Sequence, residues 1–543
     1  MTIKIFRVAE MIAAEKAADA AGVTYEQMME TAGKRVAEAI IACCPVKEKS
    51  VLVLVGPGNN GGDGLVAGRY LAEAGADVAF YLYKPRDAQD INFAKVQEMG
   101  LFTIDAGFDQ RYRVLRTRLK ITDIVIDALL GTGVTRPIGG ELANLMKQVR
   151  AGVAERADFL AGGYQTGLTS IAHISDVSPA QTAPAVVAVD CPSGLNCDTG
   201  ELDSLALPAD LTVTFAGPKR GHFRFPGAGA CGELVVADIN ISPALAAVQS
   251  VPVSLMTAVL ARQLLPPRPR DGHKGTFGWA LIAAGSANYW GAPLLAARGA
   301  YRVGAGLVGL AVPEKIRATV AGQMPEATYP PIPDQNRFGM QSARLLLKSA
   351  DRYRALLIGP GMSEAAEFME VLFKPNGELP KLPPLVIDAD GLNMLAQMDA
   401  WHKRLPPRTI LTPHPGEMAR LMGDAPSTDI SEPDRIELAR AKAREWGHVV
   451  VLKGAYTVVA EPNGRCHVIP FANPILGVAG SGDVLAGVMA GLLAQGVGAY
   501  ETAVLGAYLH GAAGQLASEE MGDAGLLAAE LADYLPEVRR RLQ

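Results

Sequence analysis

The chain has 543 residues, of which 49% are hydrophobic and 20% charged, with 58 Gly and 36 Pro. At about 100–200 residues per domain it is too long for one ordinary core, and its apolar fraction excludes a mostly disordered chain. Acidic and basic residues nearly balance, 56 against 51, so the chain as a whole carries no electrostatic footprint for nucleic acid.

Residues 1–10 lack the apolar stretch of a signal peptide and read as an ordinary start. Aliphatic and β-branched runs then alternate with longer Ala-rich stretches, the pattern of parallel sheets joined by crossover helices. The strands expected in the first half are 51–55, 78–83, 123–126, 186–189, 211–215 and 234–237. Segment 152–184 interrupts the pattern with Gly162-Gly163, Ser and Thr, and reads as an insertion, either a flap or a surface excursion. Prolines between 243 and 270 place a boundary near residue 250, dividing the chain into 1–248 and 249–543. The strands expected beyond it are 280–284, 307–312, 355–358, 385–387, 409–411 and 449–452. The apolar run 484–494 is half the length of a membrane span and reads as a buried helix, so no membrane partner is expected. Six cysteines without CxxC spacing argue against zinc and against a disulfide framework, and suit a reducing cytoplasm. The fold class is α/β, opening with a Rossmann-like three-layer domain on a mostly parallel sheet.

The first glycine loop follows strand 51–55 as GPGNNGGDG, residues 56–64, and leads into a helix. Glycines let a ligand approach the backbone, and a helix N-terminus favours anions. Gly56, Gly58 and Gly61 satisfy GxGxxG, but the second strand ends in Tyr83-Lys-Pro-Arg86 and lacks the acid that binds a ribose. A dehydrogenase-type cofactor site is therefore disfavoured. Asn59, Asn60 and Asp63 make the loop readable either as a polar ligand site or as an Asx-rich helix cap. Three later segments favour the site: DALLGTGVTRP with Asp127 at a strand end, VAVDCPSGL with Asp190 and Ser193, and the loop 215–221. Ligands gather at the carboxyl ends of parallel strands. Oxygens of Asn60, Asp127 and Ser193 suit a hard cation.

GPGNNGGDG, DALLGTGVTRP and VAVDCPSGL, preceded by Ala32-Gly33, resemble the epimerase domain of bifunctional NAD(P)H-hydrate repair enzymes over roughly 1–245. The resemblance implies that Asn60, Asp127 and Ser193 hold a potassium ion. It implies contacts to the hydrated cofactor from Asn59, Asn60, Gly61, Gly62 and Asp63, from Gly131, Thr132, Gly133, Val134, Thr135, Arg136 and Pro137, and from Asp190. The segment 152–184 departs from the family.

In the second half, HKGTFG, the loop 285–293, GPGM at 359–362, DADGLN at 388–393 and TPHPGEM at 412–418 each follow or border an expected strand. His414, between two prolines, either bonds backbone or takes part in chemistry. GVAGSGDVLAG, residues 477–487, carries the stronger signal: amides of Gly480, Ser481 and Gly482 at a helix start form an anion hole. Asp483 could accept a proton from a substrate hydroxyl beside a transferring phosphoryl group, or simply cap an apolar helix. No Walker A pattern occurs, and Lys453-Gly-Ala-Tyr-Thr457 offers a wall for the adenine.

GSGD near the end, with a strand-Lys-Gly segment upstream, resembles the ribokinase-like superfamily. Within it the motifs in order are similar to the dehydratase domain of the same repair enzymes over roughly 256–535. The likeness implies nucleotide contacts at Lys453, Gly454, Ala455, Tyr456, Thr457, Asn473, Gly480, Ser481 and Gly482. It also implies hydrated-cofactor contacts at Ala292, Gly361, His414 and Asp483. Segment 473–480 is more aliphatic than the family's usual version. The expected function is repair of hydrated NADH and NADPH (NADHX and NADPHX): epimerisation with Asp190 as acid/base and K+ bound, then dehydration with Asp483, Mg2+ and ADP or ATP. A homo-oligomer is expected. The rival readings are a ribokinase-like kinase of a small hydroxylated vitamin precursor fused to a nucleotide-binding module, and a first domain that serves only as a binding scaffold.

Overall fold

A computed structural model describes residues 3–87, 89–162, 183–374, 381–423 and 434–543, the side chains of 157–162 excepted. Contacts divide the chain into two units, Lys4–Val251 and Pro252–Gln543, the second joined by Ile3.

Alternation along the strands decides how the first unit layers. Its seven-stranded sheet comprises β1 (Ser50–Val55), β2 (Asp77–Leu82), β3 (Phe102–Asp105), β4 (Ile124–Ala128), β5 (Ala185–Val189), β6 (Leu211–Phe215) and β7 (Glu233–Ala237). All pair in parallel, in the order β3-β2-β1-β4-β5-β6-β7. Val51, Val53 and Val55 face one layer, built on helices α2 (Tyr25–Cys43) and α3 (Asn59–Glu73). Leu52 and Leu54 face the other, built on α4 (Arg113–Ile121) and α5 (Gly140–Gly162). A further helix, α1 (Val8–Ala20), buries Met11, Ala14 and Ala18 in the α2 layer. This is a doubly wound sheet whose order reverses between β1 and β4, where a crevice forms at the carboxyl ends.

All six strands expected in this half are present. The half-exposed β3 lies at the sheet's edge and is too short to show alternation. Helix α5 runs to Gly162, so the expected irregular stretch does not begin at Gly152. Its first residues continue a helix whose Leu142, Leu145, Met146 and Val149 are buried. The rest of the expected insertion, from 163 to 182, lies outside the described residues.

The second unit contains β8 (Val253–Leu255), β9 (Trp279–Ala283), β10 (Leu307–Ala311), β11 (Ala355–Ile358), β12 (Leu385–Ile387), β13 (Ile410–Leu411), β14 (Val449–Leu452), β15 (Val458–Ala460) and β16 (Cys466–Val468). They are ordered β8-β16-β15-β14-β13-β12-β11-β9-β10. The pairs from β10 to β14 are parallel, and β14-β15-β16 form an antiparallel meander. The six strands expected here are again present, and the unexpected ones are the three-residue strands of the meander and β8.

Helices α6 (Ala292–Arg302) and α10 (Ser481–Ala494) pack at backbone range. A Cβ at Gly487 would sit 2.0 Å from the Ala296 carbonyl oxygen, and one at Gly299 would sit 2.4 Å from that of Val484. Small residues are what such an approach demands, which explains the Gly- and Ala-rich run 484–494, buried throughout. Among the described residues no helix is long and apolar enough to cross a membrane. The remaining helices used below are α7 (Asp390–Leu395), α8 (Pro415–Met422), α9 (Arg435–Trp446) and α11 (Ala499–Met521).

Candidate functional site

In the first unit the loops after β1, β4, β5 and β6 meet at the carboxyl ends of the strands. A Cβ at Gly56 would lie 1.8 Å from the Leu129 carbonyl, so only glycine lets the β1 and β4 loops touch. Arg86, four residues beyond β2, holds the glycine loop: its Nη1 donates to the carbonyls of Gly56 (2.8 Å) and Gly58 (3.1 Å). Asp90 pairs with the other side of the guanidinium. The side chain that replaces a ribose-binding acid is thus a loop anchor.

Asn60, Asp127 and Ser193 converge. Ser193 Oγ donates to Asp127 Oδ1 at 2.6 Å, and its backbone N–H donates to Oδ2 at 2.9 Å. The same Oγ accepts from Leu130 N–H at 2.9 Å, while Asn60 Nδ2 donates to the Leu130 carbonyl at 2.9 Å. Asp127 is fully buried, and burial raises its carboxyl above the ordinary range against the hydrogen bonds from Ser193 and Leu129. Among the described residues no basic side chain neutralises it.

Asp190 follows β5 with φ +64, a left-handed conformation uncommon for a non-glycine residue and often found at functional sites. Its Oδ1 accepts from Thr214 Oγ1 (2.9 Å), from Phe215 N–H (3.3 Å) and from the Lys219 ammonium. Lys219 is 1% exposed and also donates to Thr214 Oγ1 at 2.9 Å. Burial opposes the charge on Asp190, but the Lys219 ammonium and these hydrogen bonds bring its carboxyl below the usual range. Asp63, the fifth residue of α3, is shifted the other way by burial and by the charges of Asp190 and Glu15. Burial and charge thus shift these two carboxyls in opposite directions. Lys219 lies in the loop 215–221, but nothing in its spacing points to Asp190; the partnership appears only once β5 and β6 are neighbours.

Asn59 and Asp63 line a cavity of about 590 Å³ with residues of α1 and α2. Gly61 and Gly62 are buried against Gly56 and Met29. Gly131 packs on the Asn60 side chain, and the loop beyond it turns outward: Gly133, Thr135, Arg136 and Pro137 are exposed, Thr132 and Val134 half-buried.

In the second unit the sheet order reverses around β9. A Cβ on Gly361 (φ +61) would lie 2.9 Å from that of Ala292, so these two predicted contact residues do face one another. Asp388, at the end of β12, accepts from Lys453 Nζ (2.7 Å) and Thr412 Oγ1 (2.7 Å). Lys453 Nζ also lies 3.6 Å from Glu417 Oε2. A Cβ on Gly482 would sit 3.7 Å from the same ammonium, which places Lys453 at the mouth of α10. Two buried acids, one lysine and the Asp483 carboxyl thus share one electrostatic centre. Burial first, then Asp388, push Asp483 up to about 7 against the pull of Lys453.

His414 caps α8: its Nδ1 accepts from Gly416 (3.0 Å) and Glu417 (3.4 Å) N–H groups. Its Nε2 remains on the exposed side, 3.5 Å from Glu417 Oε1. Burial, then Lys453 and Arg420, lower its pKa, so the ring is neutral. Of the three amides expected to bind anions at α10, that of Ser481 already donates to the Val478 carbonyl at 3.3 Å. Gly480 turns with φ +89, and among the described residues its amide and those of Gly482 and Asp483 make no hydrogen bond. His510, from α11, fixes the turn by donating Nε2–H to the Ser481 carbonyl at 2.9 Å. Asn473 spends its side chain on structure: Oδ1 caps Ile475 (3.1 Å), and Nδ2 reaches Ser518 (2.8 Å). Thr457 bonds the Gly454 carbonyl (2.9 Å), and Tyr456 N–H that of Phe471 (2.8 Å). Arg435, on α9, clasps the Lys453–Ala455 turn through the carbonyls of Leu452, Lys453 and Ala455.

Residues 25–221 match the family described as YjeF-related protein N-terminus, and residues 280–537 match that described as NAD(P)H-hydrate dehydratase. The bifunctional NAD(P)H-hydrate repair enzyme Nnr of Moorella thermoacetica is 38% identical over 95% of this chain and 92% of its own. That of Thermofilum pendens is 34% identical over 100% of this chain and 97% of its own. A solved ADP/ATP-dependent NAD(P)H-hydrate dehydratase from Bacillus subtilis, co-crystallised with ATP and Mg2+, is 34% identical, covers 53% of this chain and 98% of its own, and has a TM-score of 0.45. The full-length relatives span both units, and the chain belongs to the family of bifunctional NAD(P)H-hydrate repair enzymes.

Proposed function

We propose that the second unit dehydrates the S form of NADHX and NADPHX using ADP or ATP, and that the first unit interconverts the R and S forms. The observation that carries this reading is Asp483: a carboxyl held near pKa 7 at a helix mouth, beside Lys453 and two free amides.

Hydroxide is a poor leaving group at neutral pH, so the hydroxyl of the hydrated ring is first phosphorylated. Asp483 accepts the hydroxyl proton as the oxygen attacks the terminal phosphorus, and the nucleotide departs one phosphate shorter. The amides of Gly482 and Asp483 and the Lys453 ammonium face the charge that develops on the phosphoryl oxygens. Loss of phosphate, with a proton from the neighbouring ring carbon, then restores the double bond. Gly361 and Ala292 form a wall without side-chain bulk for the nicotinamide. Among the described residues no group of three acidic, His or Cys ligands stands ready for a metal. Mg2+ would therefore bind chiefly through the nucleotide's phosphates and bring charge neutralisation there.

In the first unit Asp190 is the acid/base group, and Lys219 orients it and keeps it ionised. The donor set of Asn60, Asp127 and Ser193 fits a potassium ion: the buried Asp127 carboxylate has no basic neighbour among the described residues, and the oxygens around it are hard ligands. A bound K+ would neutralise that charge and lock the β1 and β4 loops together. The test is an absorbance assay on NADHX with ADP or ATP, Mg2+ and K+. Recovery of the reduced-nicotinamide band supports the reading, and a stable phosphorylated product without recovery contradicts it.

A further inference from the structure

We propose that Glu15 is a second catalytic carboxyl of the first unit, the group that protonates the departing hydroxyl during epimerisation, while Asp190 takes up the proton when water returns. This rests on the epimerase reading above.

Glu15 lies in the middle of α1, outside the segment matched by the N-terminal family. With Asn59 and Asp63 it lines the cavity of about 590 Å³. Phe215, whose N–H bonds Asp190, lines the same cavity. Neither Glu15 nor Asp63 makes a side-chain hydrogen bond or ion pair among the described residues, although Asp63 is only 9% exposed. Both feel the charges of Asp190 and Lys219. A half-buried carboxyl facing a cavity without a partner gains nothing for the fold, since its desolvation is uncompensated. Burial, ahead of attraction to Lys219 and repulsion by Asp190, raises the Glu15 carboxyl above its ordinary range. It therefore holds a proton more readily than a surface glutamate does.

The chemistry calls for such a donor. A dihydronicotinamide ring contains an enamine, so hydration places the hydroxyl on the carbon bonded to the ring nitrogen. Inversion there begins when the C–O bond breaks: the nitrogen lone pair forms a C=N bond, and the oxygen leaves as water with a proton from Glu15. Water then adds to the opposite face and the C=N pair returns to nitrogen. The surplus proton passes to Asp190 and, through solvent, back to Glu15. No atom or electron is gained or lost overall, and no co-reactant is needed. Asp190, held ionised by Lys219, cannot supply the first proton, so a single carboxyl does not suffice.

The test measures the R-to-S exchange of NADHX in the full-length protein without nucleotide, where the dehydratase has no phosphoryl donor. Glu15→Gln should lose about 10²–10³-fold in kcat with KM within about threefold, and Glu15→Asp should recover part of the rate because it restores a carboxyl. A Glu15→Gln rate within about threefold of wild type, or a loss confined to KM, would overturn the proposal. So would an Asp variant no better than Gln. If the wild-type protein itself fails to exchange the epimers, the epimerase reading falls and this one with it.

Discussion

Asp483 combines two effects that pull in opposite directions. A carboxyl held near 7 is half-ionised at neutral pH, which suits a base, but it is costly to charge in its buried setting. The dehydration rate for the S epimer should rise with pH through about 7, and Asp483→Asn should lose about 10²–10⁴-fold with epimerisation retained, read by the two assays separately. The sign for stability follows from the same shift. The folded-state pKa is raised, so the unfolded chain releases this proton at lower pH, and stability falls as pH climbs from the ordinary carboxylate range to about 7. Asp483→Asn should therefore be more stable than wild type at neutral pH, on the order of 1–3 kcal/mol, and lose that advantage in acid, as thermal melts at both pH values will show. In the first unit, Lys219→Met should release Asp190 from its low pKa and cut epimerisation without affecting S-epimer dehydration. Asp483, Lys453 and Asp190 could be named from their motifs. Asp388, Glu417 and Lys219 could not, although they lie in or beside quoted motifs. Their roles arise from pairing across neighbouring strands, and strand order is not written in local spacing.

The start of α10 depends on how that helix lies against α6. Because a Cβ at Gly487 would lie 2.0 Å from a backbone oxygen, Gly487→Ala must push the helices apart. A destabilisation of about 1–3 kcal/mol is expected, visible as a lower melting temperature, with weaker nucleotide binding because the mouth of α10 moves too. Arg435→Ala should act differently. It frees the Lys453–Ala455 turn from its clasp, so the KM for nucleotide should rise while the fold persists. The long buried strands and the apolar helix 484–494 were legible because a parallel sheet covered on both faces leaves continuous aliphatic runs. The short meander β15–β16 was not, although Asn463-Gly464 between its strands is a turn signal. Three-residue strands carry too little alternation to separate them from loops. Helix α5 outran its expected end because 152–162 is neutral in pattern and is carried by the amphipathic turns before it.

On the proposed function the two units act through separate residues, which gives the division of labour a direct consequence. A protein carrying Asp190→Ala and another carrying Asp483→Asn should each fail on a mixture of epimers in a different way. The first should convert the S form and stall at the spontaneous rate of exchange, and the second should exchange the forms while producing reduced cofactor far more slowly. Mixed in one vessel they should together complete the conversion, because the intermediate epimer can diffuse between chains. The most direct measurement is thus the time course of the reduced-nicotinamide band when the intact protein, with ADP or ATP, Mg2+ and K+, meets a mixture of R- and S-NADHX. Complete recovery in the wild type, falling in Asp190→Ala to the S fraction followed by the spontaneous rate of exchange, and slowed about 10²–10⁴-fold in Asp483→Asn, is the predicted result. Recovery that survives Asp483→Asn undiminished would contradict it.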